Sequence, residues 1–203
     1  AGTPLFLAVL PGGTANVVAR ELGMPPRLSD GVAALAAGEI RPVTLGQAGG
    51  RLFLAMAGIG FDARGGASLP GRLKRNLGKG AFALTAIREW QRSDFPAARF
   101  EAGGDTWEAP FGVIANTSRY GGGFRLAPQA SLEAPELDLC LFLSRQRGRY
   151  LGYAYHILRQ DHPAVSDVLY RTVDQVEIAG DGIPFQVDGE LAGFLPVTIR
   201  CLP

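Results

Sequence analysis

The sequence predicts an α+β molecule: a mainly antiparallel β-sandwich with inserted helices, preceded by a short α/β segment. Two observations predict it. From about residue 40 onward, short apolar runs follow one another, separated by glycine, proline and aspartate turn signals. Before that point the texture differs, with one apolar run feeding two short helical patterns. The expected division is therefore 1–37 for the α/β segment and 38–203 for the sandwich.

The elements follow in order. Residues 5–10 are an apolar run bounded by Pro4 and Pro11, which predicts a buried strand. Thr14 is placed to cap a helix bearing Val17, Val18 and Leu22 on one face, stopped by the Gly-Met-Pro-Pro of residues 23–26. Ser29 or Asp30 caps a second helix over 31–37, ended by Gly38. Runs at 40–45 and 52–57 flank "GQAGG" as a hairpin. Residues 60–80 form a glycine-rich basic loop, and Ala83, Ile87 and Trp90 sit at helical spacing behind it. Strands are then expected at 97–102, 107–115, 137–143, 168–179, 183–187 and 194–201, with one further helix near 150–159. "GGDT" at 103–106 lies between two of these strands and reads as a hairpin turn.

Composition sets bounds. Of 203 residues, 47% are hydrophobic and 19% charged, as in ordinary globular proteins. The formal net charge is +1, so no overall field selects nucleic acid or an anionic membrane. Cys140 and Cys201 lie in apolar strand runs, which fits reduced, buried thiols and a cytoplasmic protein. No apolar stretch approaches the roughly 18 residues that span a bilayer, and no secretory leader pattern is present. The chain starts at Ala1 just ahead of an apolar run and stops after another, which predicts a portion of a longer protein.

Several stretches carry chemistry beside a plain reading. The turn "PGGTAN", 11–16, ends an apolar run and opens a helix, where free backbone N–H groups would attract an anion. Taken alone, a turn with a cap is the stronger reading. "DG" at 188–189 between "IPFQV" and "ELAGF" is a two-residue hairpin turn with positive φ at both positions. Gly121, Gly122 and Gly123 make a backbone that can lie close to a ligand, or simply a flexible connection. Arg64, Arg72, Lys74, Arg75 and Lys79 collect beside leucines. A solvated loop stands ahead of a membrane-surface patch there. His156 and His162 have no second ligand at metal spacing. Gly58-x-Gly60-x-x-Ala63 imitates a dinucleotide fingerprint, but "RGGASLPGRLK" cannot begin the crossover helix that fingerprint requires.

Four of these segments, in order, resemble one family. "LPGGTANVVARELGMP", "GIGFDA", "NTSRYGGGFRLAPQASLEAPELDL" and "FQVDGEL" are similar to successive motifs of the diacylglycerol kinase-like lipid kinases, among them diacylglycerol, sphingosine and ceramide kinases. The resemblance implies transfer of the γ-phosphoryl of ATP, with Mg2+, to a lipid hydroxyl on a diacylglycerol-like or sphingoid acceptor. It implies that Gly12, Gly13, Thr14 and Asn16 meet nucleotide, and that Asn116 and Gly121–Gly123 line a substrate cleft. It also implies that Asp188 and Glu190 act on the acceptor, with Glu190 favoured as the base. The partners implied are a lipid with a free hydroxyl and transient contact with a membrane surface, and nucleic acid is not among them.

Two features depart from the family pattern. Its Gly-Gly-Asp-Gly-Thr loop does not occur in these residues, so the fragment alone is expected to be inactive. Ala134-Pro135 replaces the Asp-Gly that holds a structural metal in bacterial members, so no such metal is expected here. The competing reading is a non-catalytic β-sandwich that binds a lipid or a partner.

Overall fold

The computed structural model describes residues 6–13, 15–61, 63, 96–121 and 124–202. The predicted helix over 82–90, the basic cluster, Thr14, Gly122 and Gly123 lie outside them.

Two six-stranded antiparallel sheets form the body. The first takes the order β2-β1-β14-β11-β4-β5, from β1 (Leu45–Ala48), β2 (Arg51–Phe53), β4 (Ala98–Ala102), β5 (Asp105–Ala109), β11 (Gln175–Ala179) and β14 (Val197–Leu202). The second is β10-β9-β6-β3-β12-β13, from β3 (Met56–Gly60), β6 (Phe111–Ala115), β9 (Leu137–Phe142), β10 (Val168–Val173), β12 (Pro184–Val187) and β13 (Glu190–Phe194). A small ribbon pairs β7 (Arg119–Tyr120) with β8 (Phe124–Arg125).

The two sheets differ in ways their sequences explain. In the first, β11 (QVEIA) alternates buried and exposed residues, so one face is dry and the other wet. In the second, β3, β6 and β9 are buried at every position. Their inward face joins the inter-sheet core of Phe53, Ile59, Phe100, Leu139, Leu141 and Ile199. Their outward face is covered by helix α3 (Arg147–Arg159), whose Tyr150 and Tyr153 meet Phe111, Phe142 and Val113 in a second apolar cluster. Unbroken apolar runs such as FGVIA are what such doubly covered strands require.

Several expectations need correction. Residues 6–10 are not a buried strand: no described strand pairs with them, and Phe6 and Leu7 are exposed. The first hairpin strand runs over 45–48 rather than 40–45, and Ile40 is exposed. Gly46 belongs inside it because the Phe53 ring covers that position, where a Cβ would lie 2.0 Å from Phe53 Cζ. The runs at 107–115 and 168–179 each divide between the two sheets, at Pro110 and at Asp174. At the second break, Val173 and Val176 both enter the inter-sheet core, three residues apart, so the alternation slips phase and one strand cannot serve both. Helix α2 (Leu28–Ala36) begins ahead of Ser29, with Arg27 at its N-cap and no side-chain capping bond. Cys140 is buried, but Cys201 is only half-buried, its thiol donating to the Pro135 carbonyl.

Candidate active site

The turn at 188–189 is the hairpin the sequence predicts: Asp188 has φ 49° and Gly189 φ 87°. It joins β12 to β13 at one edge of the second sheet. The Asp188 side chain does not point to solvent chemistry. Its Oδ2 accepts the Leu54 N–H at 2.9 Å, and its Oδ1 accepts the Ala55 and Met56 N–H groups, each at 2.9 Å. The Asp188 N–H in turn donates to the Met56 carbonyl. A carboxylate satisfying three amides at a strand entrance fixes the hairpin against β3. Gln186, buried in β12, accepts the Gly189 N–H on its Oε1 and steadies the same tip. Glu190, the first residue of β13 and paired with Val187 in the ladder, is exposed, and its side chain carries no hydrogen bond or ion pair among the described residues.

Asn116 holds the other side of the 54–56 segment. Its Nδ2 donates to the Thr44 and Leu54 carbonyls at 2.7 and 3.0 Å, and its N–H donates to the Ala55 carbonyl at 2.8 Å. At 1% exposure it is an internal tether and presents nothing to an open cleft. Its Oδ1 is buried without a partner among the described residues. Gly121, in the left-handed region at φ 56°, turns β7 into β8.

The glycine turn leads into α1 (Val17–Glu21), with Asn16 at the N-cap in the left-handed region. The amides of Gly12 and Gly13, expected to be free, are engaged within the turn. Gly12 N–H donates to the Leu10 carbonyl, and Gly13 N–H to Asn16 Oδ1 at 2.6 Å. Beside Gly12 the space is open: a Cβ there would meet nothing within 4 Å.

Val17 and Val18 pack against the outer-face cluster that contains Ala55 and Met56. The segment gripping Asp188 and the helix behind the glycine turn therefore share one apolar floor. The sequence did not single out Glu21 or Ser118, yet they join α1 to the β6–β7 corner. The legible signal was Glu21 itself, three and four residues after Val18 and Val17 on the apolar side of the helix.

With this geometry in place, the comparisons with known proteins are specific. Residues 55–203 match the YegS C-terminal NAD kinase beta sandwich-like domain, and residues 1–48 the diacylglycerol kinase catalytic domain. The chain belongs to the diacylglycerol kinase-like lipid kinase family. A probable YegS-like lipid kinase of Pseudomonas aeruginosa is 33% identical over 187 residues, which cover 91% of this chain and 61% of that protein. A Bacillus subtilis diacylglycerol kinase is 27% identical over 194 residues, 94% of this chain and 64% of that protein. The chain thus spans a little over three fifths of the length of these lipid kinases. A putative diacylglycerol kinase structure from Bacillus anthracis superposes with a TM-score of 0.76 at 22% identity, over 95% of this chain and 64% of that one, a likeness of fold. Among the described residues, no helix is long and apolar enough to cross a membrane.

Proposed function

We propose that the full-length protein carrying these residues transfers the γ-phosphoryl of ATP to the hydroxyl of a diacylglycerol-like or sphingoid lipid, with Glu190 as general base. One observation carries the assignment of the base. Both Asp188 oxygens are already committed to three backbone amides, whereas Glu190 stands at the hairpin tip with a carboxylate that no group among the described residues engages. A group that must take a proton from an approaching hydroxyl needs a free oxygen within hydrogen-bond reach of it. Asp188 is then the positioning residue that holds the tip.

In the reaction, Glu190 accepts the hydroxyl proton as the lipid oxygen bonds to the γ-phosphorus and the bridging oxygen leaves with ADP. The residues present fit a nucleotide. Gly12 leaves room for close approach, and Asn16, at the N-cap of α1, carries an amide donor. Among the described residues, no group of three or more His, Cys, Asp or Glu could hold a metal ion. Mg2+ bound with the nucleotide phosphates would neutralise the charge that develops on them. Residues 1–37 are assigned to the nucleotide-binding domain and 38–203 to the lipid-receiving domain. The Gly-Gly-Asp-Gly-Thr loop is absent from these 203 residues, so they transfer nothing by themselves. Similarity to a probable YegS-like lipid kinase and to a diacylglycerol kinase supports the substrate class.

The test is Glu190→Gln in the full-length protein, assayed with labelled ATP against a panel of lipid alcohols. The expected result is a loss of kcat of at least about 100-fold with an unchanged melting temperature, since removing a general base costs about 10²–10⁴-fold. Wild-type turnover in the variant would overturn the assignment.

A further inference from the structure

Helix α1 spans five residues, too short to persist on its own propensity. Its position depends on what it touches. Beside the apolar contacts of Val17 and Val18, Glu21 makes a specific polar one, its side chain only 15% exposed. Its Oε1 accepts the Ser118 N–H at 3.1 Å, its Oε2 accepts the Ser118 hydroxyl at 2.9 Å, and Arg119 Nε lies 3.8 Å from Oε2. A carboxylate withdrawn this far from water persists only where donors meet it. An apolar side chain would have filled the same place against the cluster.

The contact continues inward without a break. Ser118 follows Thr117, whose hydroxyl reaches the Ala55 carbonyl at 3.4 Å, and Asn116, whose amide groups bind the Leu54 and Ala55 carbonyls. The N–H groups of those same residues, with that of Met56, hold the Asp188 carboxylate. Glu21 therefore sits at one end of a hydrogen-bonded relay, and the 188–190 hairpin tip sits at the other.

We propose that Glu21 is a positioning residue for phosphoryl transfer, latching the helix behind the glycine turn to the Asn116–Ser118 corner and so fixing that turn relative to Glu190. This rests on the kinase reading above. The latch touches neither reactant, so it acts on their mutual placement. Misplacing reacting groups by about 1 Å can cost on the order of 100-fold in rate.

The experiment compares the full-length wild type with Glu21→Gln, Ser118→Ala, the double variant and Glu190→Gln, measuring kcat and KM for ATP and for a dispersed diacylglycerol. Glu21→Gln keeps the side chain's size but replaces the oxygen that accepts the Ser118 hydroxyl with an amide donor and removes the charge facing Arg119. Its kcat is expected to fall about 10- to 100-fold, with both KM values within about threefold of wild type. The double variant is expected to be no slower than the slower single variant, because the two groups act as one unit. A purely structural role would lower the melting temperature and leave kcat per folded molecule unchanged.

Either a kcat within twofold of wild type in Glu21→Gln or multiplicative losses in the double variant overturns the latch. Wild-type turnover in Glu190→Gln overturns the kinase-site reading instead, so the two failures are distinct. Should Glu21→Gln misfold, Ser118→Ala alone decides, with the same kcat and KM expectations.

Discussion

Asp138 shows how a single side chain can make stability depend on pH. It lies in β9 between Leu137 and Leu139, which face the inter-sheet core, and so shares the outer face with Cys140 and Phe142. It is 5% exposed, and its Oδ2 has no hydrogen-bond partner among the described residues. Burial first, and the nearby Glu136 carboxylate second, push its carboxyl up to about 6 from an ordinary 3.8. The Cys140 thiol and Tyr170 phenol beside it are raised as well, burial again the leading cause, so neither supplies a compensating charge. Because the folded value exceeds the unfolded one, Asp138 contributes stability below about pH 4, and that contribution is lost as pH rises through about 6. The expected outcome for Asp138→Asn is a gain over wild type that grows across that window to about 2–3 kcal/mol. Urea midpoints at pH 4, 5, 6 and 7 measure it. Asp167 works in the opposite sense, its carboxyl held below the ordinary range by the Arg149 guanidinium at 2.9 Å. The difference between variant and wild type is therefore the quantity that isolates Asp138.

At the scale of the element, strand β6 shows what its glycine is for. Gly112 pairs with Ile59 on one side and Leu141 on the other. A Cβ there would lie 2.6 Å from Phe100 Cζ and 2.8 Å from Leu141 Cδ2, both in the closed inter-sheet core. Gly112→Ala should therefore cost about 1–3 kcal/mol through overpacking, despite adding strand propensity. A lower denaturant midpoint at unchanged slope would report it. The apolar composition of β6 was legible in the sequence, and its length was not. Pro110 lets residues 107–115 serve two sheets, and only the packing of Ala109 and Phe111 into different clusters shows where the change falls. The Asp-Gly hairpin, by contrast, was fully legible, because positive φ at both of its positions is a property of those residues themselves.

For the molecule as a whole, every described strand lies at or beyond residue 45, and the earlier segment meets the sheets through α1. Removing residues 1–40 should leave both sheets intact, with a retained β-type circular dichroism spectrum. Stability should fall by about 1–3 kcal/mol as the Val17 and Val18 contacts are lost. Denaturation followed by tryptophan fluorescence checks this, and collapse of the β signal would show that α1 is integral to the sandwich.

The sequence by itself determined the kinship, the antiparallel character and the turns, because motif order, alternation and glycine placement are local properties. It also marked 188–190 and the glycine turn as chemistry-bearing. Only the tertiary structure decided that Asp188 is spent on the Leu54–Met56 amides while Glu190 is not, that Asn116 is an internal tether, and that Glu21 clasps Ser118. The physical reason is one of distance along the chain. Hydrogen bonds joining residues 97 and 134 positions apart depend on how sheets close against one another, which no local pattern encodes.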